Sequence, residues 1–237
     1  MEGERQAVPR LSPRHLQVGV DIPTKTELNA MIEHAGKMRP LLLVAIFTGL
    51  RASELRGLTW DAVDLIGATL TVRQRADRWN TMGPPKSSSG KRTVPLAPMV
   101  VHALKEWRLA CPKGELGLVF PNSEGNVQSL PNLHRRGLGP LQFAAGITTA
   151  AEMRATNPEL TEKHATAQAK LRPKYGLHSF RHAAASLFIE QGYSPKRVQA
   201  LMGHSSIQMT FDVYGHLFPS EKDDQAQMAM LQASLIG

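Results

Sequence analysis

Six side chains in this sequence have types and spacings suited to chemistry at a phosphate. His178-Ser-Phe-Arg181 sets an imidazole and a guanidinium three residues apart, on one face of a helix. A planar guanidinium meets a phosphate through paired hydrogen bonds. Thr48-Gly-Leu-Arg51-Ala-Ser-Glu54 places a second arginine just past a glycine, where the backbone turns sharply. Glu54, three residues on, can orient that guanidinium by a charge-assisted bond. Lys86 lies in the Ser-rich stretch Gly83–Gly90, with Lys91 and Arg92 close behind, and can reach into a groove and donate a proton. His204 follows a helix end in Leu201-Met-Gly-His-Ser-Ser. Tyr214 is one of three tyrosines and stands in Phe211-Asp-Val-Tyr-Gly-His216, among polar neighbours where a buried anchor is not expected. A phenol, with a pKa of about 10, attacks poorly unless cations stabilise the phenolate and a base removes its proton.

Taken singly, each feature has a plainer reading: a solvated helix end, an exposed salt bridge at a helix junction, a hairpin tip. His182 stands four residues from His178, a spacing that can hold a metal, but the residues between are Ser-Phe-Arg and the cation opposes a divalent ion. Taken together, two arginines, a lysine, two histidines and a tyrosine are what metal-free phosphoryl transfer requires. Each arginine stabilising charge on the non-bridging oxygens contributes about 3–4 kcal/mol. The lysine protonates the leaving oxygen, and the tyrosine forms the covalent intermediate.

These groups need elements to position them. Thr24-Lys-Thr-Glu27 has the capping-box pattern and opens a helix running to Gly36; a second helix runs from near Pro40 to Gly49. Thr69–Val72 and Arg92–Leu96 alternate like two antiparallel strands, joined through a mobile turn over 83–90. Pro98 opens a helix to Ala110, and Leu118–Phe120 reads as a short strand. Residues 130–172 contain helical fragments, but Asn157-Pro158 and scattered charge make the stretch read as an irregular, exposed excursion. Helices follow from His178 to about Gln191, from Ser194-Pro195 to Gly203, and over Ser206–Tyr214. The fold class is therefore α+β, mainly helical, with a small antiparallel sheet. Residues 1–22 read as a linker or arm and 220–237 as a tail.

The net charge of +8, from 28 Lys and Arg against 20 Asp and Glu, favours a polyanionic partner, with nucleic acid foremost. A single cysteine, Cys111, excludes an intrachain disulfide framework and a CxxC site. The apolar stretch Leu41–Leu50 is too short to span a bilayer, and the N-terminus lacks the apolar stretch of a secretory signal. The expectation is a soluble protein of a reducing compartment, cytoplasmic and without a membrane partner.

The ordered motifs TGLRASEL, PPKSSSGKRTVPL, HSFRH, LMGHSS and TFDVYGHLFP resemble the catalytic domain of the tyrosine recombinases, the phage integrase family, over residues 23–219. The resemblance implies a site-specific recombinase that cuts one DNA strand at a time. It forms a 3′-phosphotyrosyl link, frees a 5′-hydroxyl and exchanges strands without metal, ATP or other cofactor. It further implies that Arg51 and Arg181 clamp the scissile phosphate and that Lys86, or Lys91 or Arg92 in a shifted register, is the general acid. His178 assists proton removal, His204 hydrogen-bonds the phosphate, Tyr214 is the nucleophile and Glu54 supports Arg51. The implied partners are double-stranded DNA attachment sites and, on DNA, a homotetramer in which the tail packs on a neighbouring protomer. Family members carry a helical core-binding domain ahead of the catalytic one, whereas 22 residues precede the match here. The alternative is thus a catalytically weak or inactive DNA-binding fragment. A type IB topoisomerase shares the chemistry, and a metal-dependent nuclease would need an acidic cluster that the motifs lack.

Overall fold

The computed structural model describes residues 16–218 and 224–236. Helix α1 (Lys25–His34) opens on the expected capping box, Thr24 and Glu27 bonding reciprocally to each other's backbone N–H. Helix α2 (Arg39–Thr48) is apolar on every side, and Leu41 to Ile46 are all buried. That pattern makes it the central rod of the core rather than a surface helix. It ends at Gly49, which takes the left-handed conformation (φ 63°) and turns the chain into α3 (Ala52–Arg56).

The sheet follows as β1 (Val63–Asp64), β2 (Thr69–Val72), β3 (Arg75–Ala76), β4 (Met82–Gly83) and β5 (Arg92–Pro95). Strand β2 pairs antiparallel with both β1 and β5, with Leu70 opposite Val94 and both turned into the core. A mobile turn is expected over 83–90, but the segment between β2 and β5 holds more than that. It carries its own ladder, β3 with β4, and closes with a 3-10 turn over Ser88–Gly90. Helix α4 (Pro98–Ala110) packs on α2. Leu118–Phe120 is not a strand: Leu118 makes an isolated bridge to Thr59, and the Val119 N–H bonds Leu58.

The stretch 130–172 departs most from expectation. It forms α5 (Leu130–Asn132), a π-helical turn (Leu133–Leu138), α6 (Gly139–Ala144), α7 (Ala150–Thr156) and α8 (Glu162–Leu171). Two local signals start these helices, a capping box between Thr149 and Glu152 and a cap at Thr161. The bundle closes on Gln142, wholly buried, whose amide accepts from the Tyr175 N–H and donates to the Tyr175 carbonyl.

Helix α9 (Leu177–Glu190) then packs on α2, α10 (Pro195–Met202) packs on α9, and α11 (Ile207–Tyr214) packs on α10. Ser194 caps α10, as the sequence suggests, and Ser206, expected as the first residue of α11, is its cap. The expected arm over 1–22 lies outside the described residues up to position 15. The part described, Leu16–Ile22, is a turn about the Gln17 carbonyl that buries Ile22 in the core. Of the tail, Asp224–Ile236 is a helix, α12, with Met228, Met230, Leu231, Leu235 and Ile236 exposed; 219–223 and Gly237 lie outside the described residues. No helix among the described residues is long and apolar enough to cross a membrane.

Candidate active site

The C-terminus of α10 organises the cluster. The last carbonyls of a helix lack intrahelical partners and carry partial negative charge. Here three arginines from distant parts of the chain take them in sequence. Arg92 Nε donates to Leu201 O at 2.6 Å, Arg181 Nη2 to Met202 O at 2.6 Å, and Arg51 Nη2 to Gly203 O at 2.8 Å. Arg181 Nη1 also donates to Gly49 O at 2.6 Å, at the C-terminus of α2. Two helix ends thus hold Arg181, which is 3% exposed. Burial first, then Arg51, push its pKa down to about 9, which leaves it charged at neutral pH.

Glu54 compensates this concentration of positive charge. Its Oε1 accepts from Arg51 Nη1 and its Oε2 from Arg92 Nη2, both at 2.8 Å, and Oε2 also accepts the Arg51 backbone N–H at 2.9 Å. Burial alone would raise this carboxyl; the hydrogen bonds and charge of Arg92, then Arg51, outweigh it and hold the pKa at about 2. The sequence allowed an exposed salt bridge here. The carboxylate is instead buried, because α3 turns inward behind Gly49 on Leu55.

Tyr214 was expected away from the core. It is 1% exposed, since Thr210 and Tyr214, four residues apart, form the inner face of α11 while Asp212 and His216 point outward. Its hydroxyl lies 2.7 Å from His182 Nδ1, and its ring stacks on that of His204 at 6.2 Å and 8°. Burial pushes the phenol up to about 12, while Arg181 and Arg51 pull in the opposite direction. His204 Nδ1 is 2.9 Å from Thr210 Oγ1, and burial with Arg181, Arg51 and Arg92 holds the ring neutral, its pKa at about 3.

His178 and Arg181 do not share one environment. Arg181 is buried, whereas His178 is exposed at the rim and meets His182 edge-on, centroids 4.3 Å apart at 76°. Burial, then Arg181 and Arg51, lower the His178 pKa. Lys86 is exposed and lines a cavity of about 270 Å³ with Arg51, Ser53, Arg75, Gly203 and Ser205. Arg92 cannot stand in for it, since its guanidinium is spent on Glu54, Leu201 and Gly90. Lys91, next to it, is exposed.

Sequence reasoning missed three residues at this site. The spacing of His182 from His178 suggests a metal that the intervening cation opposes, and no other role is read for it; its Nδ1 meets Tyr214. Arg92 drew notice as a substitute acid. Arg75, whose Nε is buried without a hydrogen-bond partner among the described residues, drew none, because no local motif marks it.

The chain matches the model of the phage integrase family over residues 24–221. The prophage integrase IntR of Escherichia coli (strain K12) is 29% identical over 217 residues, covering 90% of this chain and 51% of that protein. The ICEBs1 integrase of Bacillus subtilis (strain 168) is 27% identical over 188 residues, 77% of this chain and 46% of that one. The chain therefore spans about half the length of the curated relatives it matches. Among solved structures, the Tn1549 transposon integrase in complex with circular intermediate DNA superposes with a TM-score of 0.64 at 22% identity, covering 92% of this chain and 68% of that chain. The XerA recombinase gives 0.61 at 20%, covering 95% and 66%. At these identities the solved structures establish the α+β fold, mainly helical with its small antiparallel sheet, and the family match spans every element from α1 to α11: the chain belongs to the phage integrase family.

Proposed function

We propose that this chain carries the chemistry of a tyrosine-type site-specific DNA recombinase, cleaving and rejoining strands at double-stranded attachment sites through a 3′-phosphotyrosyl intermediate. The observation that carries the reading is the convergence of Arg51, Arg181 and His204 on the phenol of Tyr214. Each arginine spends two N–H groups on protein acceptors. Three of its five remain for a phosphate. In the tautomer in which the Thr210 hydroxyl donates to Nδ1, His204 carries its proton on Nε2 and donates it to a non-bridging oxygen.

In the forward step Tyr214 Oη bonds to phosphorus and the bond from phosphorus to the 5′-oxygen breaks. Lys86 hands its proton to that oxygen from across the cavity, and His178 assists removal of the phenolic proton. Attack by the 5′-hydroxyl of a partner strand reverses each transfer, so the cycle consumes neither metal nor ATP. The setting is the cytoplasm and the task is the movement of an integrating element, in keeping with relatives named as integrases and transposases. The apolar residues exposed on α12 suit docking on a neighbouring protomer in a homotetramer on DNA.

The test uses a library of duplexes with randomised arms and a nick beside the scissile position, incubated in EDTA and resolved on a denaturing gel. The wild type is expected to give a covalent band whose DNA identifies the site, and Tyr214→Phe none. Binding without an adduct would favour the alternative that half-length coverage keeps open, an inert DNA-binding fragment. A requirement for magnesium would favour a nuclease.

A further inference from the structure

Resting on the phosphotyrosyl reading above, we propose that His182 is a further catalytic residue, whose Nδ1 receives the Tyr214 proton as the phenolic oxygen bonds to phosphorus. Among the described residues, the hydrogen-bond partner of this buried hydroxyl is His182 Nδ1, at 2.7 Å, close enough to take its proton directly. The transfer uses the tautomer in which the hydroxyl donates: Nδ1 is bare and Nε2 carries the hydrogen. Other groups near the hydroxyl are poorly placed to take a proton. His204 lies flat against the Tyr214 ring with its Nδ1 turned to Thr210. His178 is one ring further out, against His182, and the guanidiniums of Arg181 and Arg51 have no lone pair to offer. His178 then assists through His182.

The groups facing His182 are His178 and Arg181 on α9, Asp21 in the turn before α1, His204 after α10 and Tyr214 on α11. Burial first, then His178 and Arg181, hold the imidazole pKa at about 4, against a partial opposing pull from Asp21, so the ring is neutral and able to accept at pH 7. In the free protein the transfer is uphill, from a phenol at about 12 to an imidazole at about 4. Bonding to phosphorus reverses this, because an oxygen that shares its lone pair with phosphorus becomes strongly acidic. The incoming phosphate also offsets the arginine charge that depresses the imidazole. The step balances: the Oη–H bond breaks and its proton forms an imidazolium at Nδ1, the Oη–P bond forms, and the P–O5′ bond breaks with a proton from Lys86. Rejoining returns the imidazolium proton to Oη.

Adduct formation by the full chain on the nicked duplexes recovered with the wild type tests this across about pH 6 to 8.5. The wild-type rate is expected to be nearly constant, since its base is already neutral throughout. His182→Ala should be about 10²- to 10⁴-fold slower at pH 7 and rise about tenfold per pH unit as phenolate becomes available, with added imidazole restoring part of the rate. In His182→Gln the amide oxygen can hold the hydroxyl but has no basicity, so it too should stay slow and pH-dependent. A Gln variant with the wild-type rate and a flat profile, or an Ala variant within a few-fold of wild type, overturns the proposal. Retained DNA binding by the Gln variant separates a chemical defect from misfolding. Failure of the wild type itself to form an adduct at Tyr214 overturns the phosphotyrosyl reading, whereas an adduct that forms unchanged without His182 overturns this inference alone.

Discussion

Arg92 and Glu54 form a buried ion pair behind the candidate site, Nη2 to Oε2 at 2.8 Å, with side chains 6% and 3% exposed. Glu54 is thereby shared between a guanidinium that faces the cavity, Arg51, and one that does not. Removing one partner of such a pair strands the other charge in a low-dielectric setting, which costs about 3–5 kcal/mol. Glu54→Gln preserves shape and abolishes the charge, so urea denaturation should show a loss of roughly that size. A loss under about 1 kcal/mol would mean that water reaches Arg92 and that the pair is not structural.

Three groups make the fold acid-labile in the same direction. Glu54 at about 2 lies below its ordinary 4.5, so its contribution is complete above 4.5 and is lost as pH falls toward 2. His182 at about 4 and His204 at about 3 lie below 6.5, so the unfolded chain takes up their protons first. Stability therefore drops as pH falls from 6.5, the histidines acting first and Glu54 last. Urea midpoints measured from pH 7 to pH 3 should decline continuously, and Glu54→Gln should flatten the part below 4.5. A midpoint unchanged between pH 7 and pH 5 would show that both histidines are protonated as readily in the folded state as in the unfolded one.

Gly203 ends α10 in the left-handed region (φ 63°) and offers its carbonyl to Arg51. A Cβ there would lie 2.8 Å from Arg92 Nη1 and 3.0 Å from Ser89 O. Gly203→Ala thus meets both backbone strain, about 1–2 kcal/mol, and a clash with the cation that holds Glu54. The expected outcome is lower stability together with a cleavage rate that falls more than DNA affinity, because relief of the clash displaces the carbonyl that positions Arg51. Wild-type cleavage by Gly203→Ala would show that Arg51 does not depend on this carbonyl.

Much of this arrangement is legible in the sequence where the signal is local. The capping box at Thr24, the helix stop at Gly49 and the serine cap of α10 are short-range patterns that packing did not override. The motifs around Arg51, His178 and His204 likewise mark residues that the fold brings together. What stayed hidden depends on partners far along the chain. The burial of Glu54 requires Arg92, thirty-eight positions away, and that of Tyr214 requires His182, thirty-two away. The helices of 130–172 were hidden differently: Thr149 and Glu152 form a readable cap, but the Gln142–Tyr175 bonds that close the bundle span thirty-three positions.

Arg181 is held by two carbonyls before any ligand arrives, so it is preorganised rather than recruited. Preorganised donors act most on charge that develops in the transition state, and loss of one costs about 10²- to 10³-fold in rate. Arg181→Lys keeps the charge but not the paired geometry. Adduct formation should fall by about that factor while affinity, measured by gel shift at fixed salt, changes far less. An equal loss of both would make Arg181 an ordinary phosphate contact.

Lys86 stands apart from the arginines in being exposed and in reaching the cavity from the sheet side. A proton donor to the 5′-oxygen matters in proportion to how badly that oxygen leaves. Replacing the oxygen with sulfur at the scissile position supplies a leaving group stable as its thiolate, which needs no proton. Lys86→Ala should therefore be severely slowed on the ordinary nicked duplex and close to wild type on the sulfur-substituted one. Tyr214→Phe should be inactive on both. His182→Ala should remain slow on both, since sulfur relieves the leaving group and not the attacking phenol. A Lys86→Ala defect of equal size on the two substrates would place Lys86 among the phosphate-binding cations instead, and would turn the search for the acid to Lys91, exposed in the same loop.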